Sequence, residues 1–292
     1  MRKMINRVND KTERAMYIEY SLLFKGYASR GDLMDAFGIS APTATRDLLD
    51  YSSDTNNENC EFDEKTKTHK IKKTFRKKYP DTTEQNIQDW LKKEKIYSVD
   101  DNVTYRFGRI NSPSWFDLIP LIRAMFNKTA CEVDYFTLDK GLTRRYVMPH
   151  SLMDDGLKMY VRLYDIENTE NKTGYFKTFA LSRIKNTKPY LMLKESMKDG
   201  FKNNDDEWNE LVDLILQPHP NLEHKETIEY EYRMSRGEKK IKVRSACAGY
   251  FLISWNVDCS DYSNLDCKKY PLCLKNLSDV KHIPSIKFLA PK

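Results

Sequence analysis

The stretch "FGISAPTATRDLLDY", residues 37–51, joins two short helical patterns through a glycine. Just before it, Ser29 with Asp32 three residues on forms a Ser-x-x-Asp variant of the capping box, and Leu33 and Phe37 mark the buried stripe of a short helix. Gly38 supplies the left-handed position that ends that helix, Ile39 an apolar plug, and Ser40 the N-cap of the next helix. In this second helix Ala44, Leu48 and Tyr51 recur at i, i+4 and i+7 and face inward. Pro42 sits in the first turn, where a missing N–H costs nothing. The outward first turn then carries Ser40, Thr43, Thr45 and Arg46, small hydroxyl side chains and one cation beside free backbone amides. Such an end suits an anion, and a helix about 10–12 Å wide fits the major groove of B-DNA, about 12 Å across.

Upstream, Ala15, Ile18 and Leu22 predict a helix from about 11 to 25, ended by Gly26. Downstream, the polar tip SSDTNNEN leads into CEFDEKTKTHKIKK, where Phe62 and Ile71 flank a loop of Asp, Lys and Thr. The pattern predicts a two-stranded wing with Lys65, Lys67, His69 and Lys70 near its tip or on its second strand. From Lys65 to Lys78 the chain has many basic residues and no acidic one. A helix-turn-helix followed by a basic hairpin is a winged helix-turn-helix. The competing readings are a helical hairpin that packs for stability alone and a charge run that is simply solvated.

The remaining pattern divides again. Residues 83–95 and 115–126 read as helices, with Ile87 and Leu91 on one stripe and Trp115, Leu118, Ile119 and Ile122 on another. From 130 to 193 five short strands follow at close intervals: CEVDYFTL, RRYVMPHSL, KMYVRLYD, YFKTFALSRI and PYLML. Close-set short strands suit a small antiparallel barrel. The last block predicts a helix bearing Trp208, Leu211, Leu214 and Ile215, strands at TIEYEYRM and KKIKVRSA, and a further apolar stretch, CAGYFLISW. Alternating Ile228, Tyr230 and Tyr232 suggest a half-buried sheet, so the block reads as an α+β unit.

Composition bounds the function classes. With 292 residues, 32% of them charged and 40% hydrophobic, the chain is globular and long enough for two or three cores. No apolar run approaches the roughly 18 residues of a membrane span, and the N-terminus lacks a signal-peptide core, so a cytoplasmic protein without membrane partners is expected. The six cysteines lack metal-ligand spacing, so free thiols and no metal or cofactor are expected. There is no P-loop, no GxSxG and no HExxH. The carboxylate pairs Asp154-Asp155 and Asp205-Asp206 fall in turns, where acids are commonly solvated, and PHPNLEH fits a loop. Catalysis is not expected. A net charge of +6 is too mild to identify a nucleic-acid binder by itself.

Within the strand block His150 follows Pro149, Arg162 lies inside MYVRLY, and Arg183 ends LSR. An arginine among apolar strand residues is either on the solvent face or buried with an anionic partner, and one-sided exposure is the simpler expectation for Arg162 alone. Three such groups on successive strands about 4.8 Å apart could converge on one anion.

At "RRYVMPHSLMDDGLKMYVRLYD…YFKTFALSRI" the chain resembles the core of a WYL domain, with the PH, the VR and the LSRI in place and Met159 where the naming tryptophan is expected. The segment "SRGDLMDAFGISAPTATRDL" is similar to the winged helix of WYL repressors of the BrxR/CapW type, attached to phage-defence operons, and "DDEWNELVDLILQPHPNLEHKETIEYEYRM" to the start of their dimerisation region. The resemblance implies an α+β multidomain chain. Its parts are a winged helix-turn-helix at 1–80, a helical linker at 81–128, an Sm-like (SH3-like) five-stranded β-barrel WYL domain at 129–204, and a C-terminal dimerisation domain at 205–292. It implies a homodimeric repressor of its own defence operon, reading an inverted repeat in double-stranded DNA. Ser40, Thr43, Thr45 and Arg46 match the recognition helix, and Lys65, Lys67 and Lys70 the wing. Tyr135, Arg145, His150, Arg162, Ser182 and Arg183 match a polar pocket for a nucleotide or nucleic-acid-derived effector, with Tyr160 replacing a more variable residue. The alternative is a single-stranded nucleic-acid binder stacking bases on Tyr135, Tyr160 and Phe179.

Overall fold

The computed structural model describes residues 2–79, 110–111, 113–166, 174–190 and 199–292. It divides into two compact units: residues 1–144 with 184–191, and residues 145–183 with 192–292.

The first unit opens with α1 (Arg2–Lys25), longer than the spacing predicts and ended where Gly26 takes φ +88°. Ser29 caps α2 (Arg30–Phe37), its side chain accepting from the Asp32 amide, while the Asp32 carboxylate turns to Lys25 rather than back to the cap. Gly38, at φ +62°, closes α2 through a bond from its N–H to the Met34 carbonyl. The predicted three-residue turn then delivers the chain to α3 (Ala41–Asp54), where Ser40 accepts from Thr43 N. Ala44, Leu48 and Tyr51 are buried, as are Ile18, Leu22 and Leu33 of α1 and α2, the helices that pack on α3. The wing is β2 (Cys60–Asp63) and β3 (Thr68–Ile71), with Phe62 opposite His69. A two-residue strand, β1 (Tyr27–Ala28), adds to the free edge of β3 and makes a three-stranded sheet, β1-β3-β2. Two residues are too few to show a period, so the pattern does not reveal β1.

One polar cluster fixes α3 within this unit. Glu19 on α1 is fully buried and accepts from the Tyr51 hydroxyl at 3.0 Å and from the amides of Lys78 and Tyr79. Asn59 donates to the Tyr51 oxygen and exchanges bonds with the Arg76 backbone. Burial, followed by the Glu19 charge, pushes the Tyr51 hydroxyl pKa up, so it stays a donor. Arg14 meets the buried Asp47 of α3 at 2.6 Å. The same unit holds a helix at Trp115–Asn127, as predicted, with Leu118 and Ile122 buried, and the strands β4 (Ala130–Thr137) and β8 (Ile184–Tyr190), which pair antiparallel. The predicted helix at 83–95 and the last three residues of PYLML lie outside the described residues.

The strand β5 (Gly141–Asp154) begins in the first unit and continues in the second, where it pairs with β6 (Met159–Asp165), and β6 with β7 (Tyr175–Ala180). The five strands run in the order β7-β6-β5-β4-β8. No ladder joins β7 to β8 among the described residues, so the expected closed barrel is not confirmed. LSR leaves the strand at Ala180 and forms a 3-10 turn, Leu181–Arg183, so LSRI does not extend β7.

The last block corrects two expectations. Only Asp206–Asn209 is helical; Leu211–Pro218 is β9, the strand between β10 (Lys239–Arg244) and β12 (Leu272–Leu274). Leu214, Leu216 and Pro218 are buried alternately, and that two-residue period outweighs the helical spacing of Trp208, Leu211, Leu214 and Ile215. Conversely TIEYEYRM is not a strand: Lys225–Glu231 is a helix. Ile228 and Tyr232, four apart, satisfy both periods, and the tie is broken by Tyr230, which is 88% exposed. CAGYFLISW lies in a helix, Ser245–Ser254, packed against a final helix, Pro284–Leu289. A two-residue strand, β11 (Val257–Asp258), completes this sheet, β10-β9-β12-β11, over a core of Leu214, Leu252, Val257, Leu272 and Ile286. At the end of β9 His219 donates from Nε2 to Asp258 of β11 at 3.1 Å while Asn221 N–H bonds its Nδ1, a geometry that sets the tautomer.

Candidate functional site

Two sets of residues carry the chemistry, one in each unit. The first is the outward face of α3. Burying Ala44, Asp47, Leu48 and Tyr51 leaves Thr45, Arg46 and Leu49 exposed on the opposite side. With Arg30, Ala41, Pro42 and Asp50 they line a shallow concavity of about 520 Å³. The predicted hydroxyls are already engaged. Ser40 Oγ lies 2.9 Å from Thr43 Oγ1 and accepts from Thr43 N, and Thr45 donates to the Ala41 carbonyl at 3.0 Å. Asp50, the acid in this concavity, is paired with Lys11 at 2.8 Å. Arg30 was not picked out by the sequence reading. A signal existed: a cation at the first position of a helix opposes the helix dipole, so helix stability does not explain it.

On the wing, Lys65 and Lys67 fall in the loop and Lys70 on β3. They are not equivalent. Lys70 is ion-paired with Asp63 and Lys67 with Glu64 at 2.5 Å. The Lys70 ammonium and the amides of Thr66 and Lys65 hold the Asp63 carboxyl down to about 2. Lys65 is exposed and makes no ion pair among the described residues. His69 is buried, and burial lowers its pKa.

The second set surrounds Arg162. Contrary to the expectation of one-sided exposure, Arg162 is 4% exposed and has an anionic partner. Its Nε and Nη2 bond Asp205 at 2.7 and 2.9 Å, Nη2 also meets Glu207 at 3.3 Å, and Nη1 donates to Thr178. His150 Nε2 lies 3.0 Å from the same Asp205 carboxylate. Asp205 is therefore not a solvated turn acid but a buried N-cap, accepting also from Trp208 N. Burial opposes its ionisation, yet the bonds from Arg162 and His150 prevail and hold its carboxyl down to about 2. The sequence reading missed this partner, although Asp205 three residues before Trp208 has cap spacing.

The other pocket residues disperse. Arg145 Nη1 lies 3.5 Å from the fully buried Asp165, which Lys177 also meets at 2.8 Å. Tyr160 donates to Asp155 at 2.8 Å and packs edge-on against Tyr250, and its pKa is raised by burial and by Asp155. Ser182 and Arg183 stand on the 3-10 turn, Ser182 exposed and Arg183 half-buried. Tyr135 lies on β4 in the other unit, buried, and Phe179 is buried too, so neither is an exposed platform for bases. Beside Arg162 a cavity of about 300 Å³ is lined by Tyr175, Lys177, Thr178, Tyr250 and Phe288. Among the described residues no His, Cys, Asp and Glu group could hold a metal ion, and no helix is long and apolar enough to cross a membrane.

Comparison with known proteins matches three domain families in chain order. Residues 10–106 match the BrxR transcriptional regulator winged helix-turn-helix domain, 118–189 the WYL domain, and 211–280 the BrxR transcriptional regulator C-terminal dimerization domain. A DNA-binding transcriptional repressor CapW from Pseudomonas aeruginosa is 28% identical over 290 residues, covering 92% of this chain and 90% of that protein. A CapW repressor from Escherichia coli is 28% identical over 284 residues, covering 91% and 89%. One from Stenotrophomonas maltophilia is 26% identical over 283 residues, covering 93% and 91%.

Proposed function

Because this chain belongs to the WYL-domain transcriptional regulators of the BrxR/CapW type, we propose that it is a DNA-binding transcriptional repressor. The observation that carries the reading is α3: a helix set by the Gly38 turn, anchored through Asp47 and Tyr51, and presenting Arg46 outward beside a lysine-bearing wing. In the finer reading it acts as a homodimer on an inverted repeat upstream of a phage-defence operon, with α3 in the major groove and Lys65, Lys67 and Lys70 of the wing on phosphates. The domain limits of the sequence reading, 1–80, 81–128, 129–204 and 205–292, belong to the same proposal.

Control by an anionic nucleotide or nucleic-acid-derived effector is the second part. The cavity beside Arg162 would take it; of the proposed contacts Arg162 lines that cavity, while Tyr135, Arg145, His150, Tyr160, Ser182 and Arg183 enter the reading through the resemblance to the WYL pocket alone. Such an anion competes with Asp205 and Glu207 for the guanidinium. Because Asp205 caps the helix leading into β9, displacing it gives the effector unequal affinity for two states, which ligand control requires.

Gel shifts on the DNA upstream of the chain's own gene test the reading. The wild type retards the fragment and Arg46→Ala weakens binding by roughly 1–3 kcal/mol, about 5- to 150-fold, if Arg46 reads a base. No retardation by the wild type sinks the repressor reading.

A further inference from the structure

We propose that Pro42, Thr45 and Leu49 form an apolar stripe that reads thymine methyl groups, an inference that rests on the duplex-binding reading above. The three residues stand at i, i+3 and i+7 on the outward face of α3, all lining the concavity that also holds Arg30 and Arg46. Leu49 is 58% exposed on a helix whose other face is fully packed. One exposed leucine needs no explanation; its alignment with two further apolar groups between two arginines does.

The hydroxyls of this face would be expected to bond base edges, but the structure assigns them elsewhere. Thr45 Oγ1 donates its proton to the Ala41 carbonyl, so the side chain has no donor left for a base and offers its methyl beside the oxygen's lone pairs. Ser40 and Thr43 bond each other and the cap amide. Asp50 is neutralised by Lys11, which removes a carboxylate that would repel phosphates. What α3 presents is therefore a pyrrolidine ring, a methyl and an isobutyl group flanked by cations. In the major groove only thymine displays an apolar group, its C5 methyl, while arginine suits guanine or phosphate. The face thus matches a site in which thymines neighbour the arginine contacts.

The test compares two versions of the upstream fragment, identical in sequence, one made with thymine and one with uracil, which lacks only the methyl. The wild type binds the uracil version more weakly, by about 4-fold for each contacted methyl on a burial value of ~0.8 kcal/mol, and on the order of 10-fold if two subunits each contact one. Leu49→Ala, or Leu49→Gln should the first variant unfold, lowers the thymine-to-uracil ratio toward 1, whereas Arg46→Ala weakens binding to both versions and keeps the ratio. A wild-type ratio of 1, or an unchanged ratio in both Leu49 variants, overturns the stripe while leaving the repressor reading intact. Failure of the wild type to retard either version overturns both.

Discussion

Arg162 shows how much one side chain's meaning depends on its neighbour. Its charge would be costly in the interior were Asp205 not bonded to it twice, and removing one partner leaves the other buried and uncompensated. Arg162→Met should therefore cost about 3–5 kcal/mol in urea unfolding, whereas Arg162→Met joined to Asp205→Ser, which keeps a capping oxygen, should cost clearly less than the sum of the two single changes. Additive costs would mean that the pair is not coupled. The acid limb follows from the same contact. The Asp205 carboxyl, held down to about 2 from an ordinary value near 3.8, contributes stability that is complete above about pH 4 and is lost as pH falls toward 2. That contribution is roughly 2–3 kcal/mol, and Arg162→Met should flatten this limb. His150 and Arg162 do converge on one anion, as the strand spacing allowed, but the anion is internal. Nothing in MYVRLY announces a carboxylate more than forty residues away.

Elements in the C-terminal block depend on close backbone approach. Gly249 lies in the Ser245–Ser254 helix, where an added methyl would overlap the Ser285 carbonyl of the final helix. Ser285 fixes the crossing by accepting from Gly249 N at 3.1 Å and donating to the Ser245 carbonyl at 2.7 Å. Gly249→Ala should thus lower the thermal midpoint by several degrees despite alanine's better helix propensity, since the two helices must separate. A rise in the midpoint, as propensity alone predicts, would refute the crossing. The apolar, small-residue run CAGYFLISW did not declare itself as helix or strand in the sequence because it is buried on most sides, and periodicity is uninformative there.

At the scale of the whole molecule, the proposed function has two copies of this chain meet on one duplex. Analytical ultracentrifugation should find twice the chain mass, and affinity should fall linearly on a log–log plot against salt. Lys65→Ala should reduce that slope by about 1, and Lys70→Ala by less, since the Lys70 charge is shared between a phosphate and Asp63. Equal effects of the two changes would show that the hairpin's ion pairs open on binding.

The winged helix was legible because its signals are local: Ser29, Gly38 and Ser40 act within one or two turns of themselves, and Ala44, Leu48 and Tyr51 carry their own period. The order of the three blocks was legible for the same reason, through their changes of period. Which carboxylate meets Arg162, whether LSRI runs on as strand or turns, and whether TIEYEYRM is strand or helix were decided only by tertiary packing. Burial of a charge, closure of a sheet and exposure of Tyr230 depend on residues distant in sequence, whose proximity no local spacing encodes.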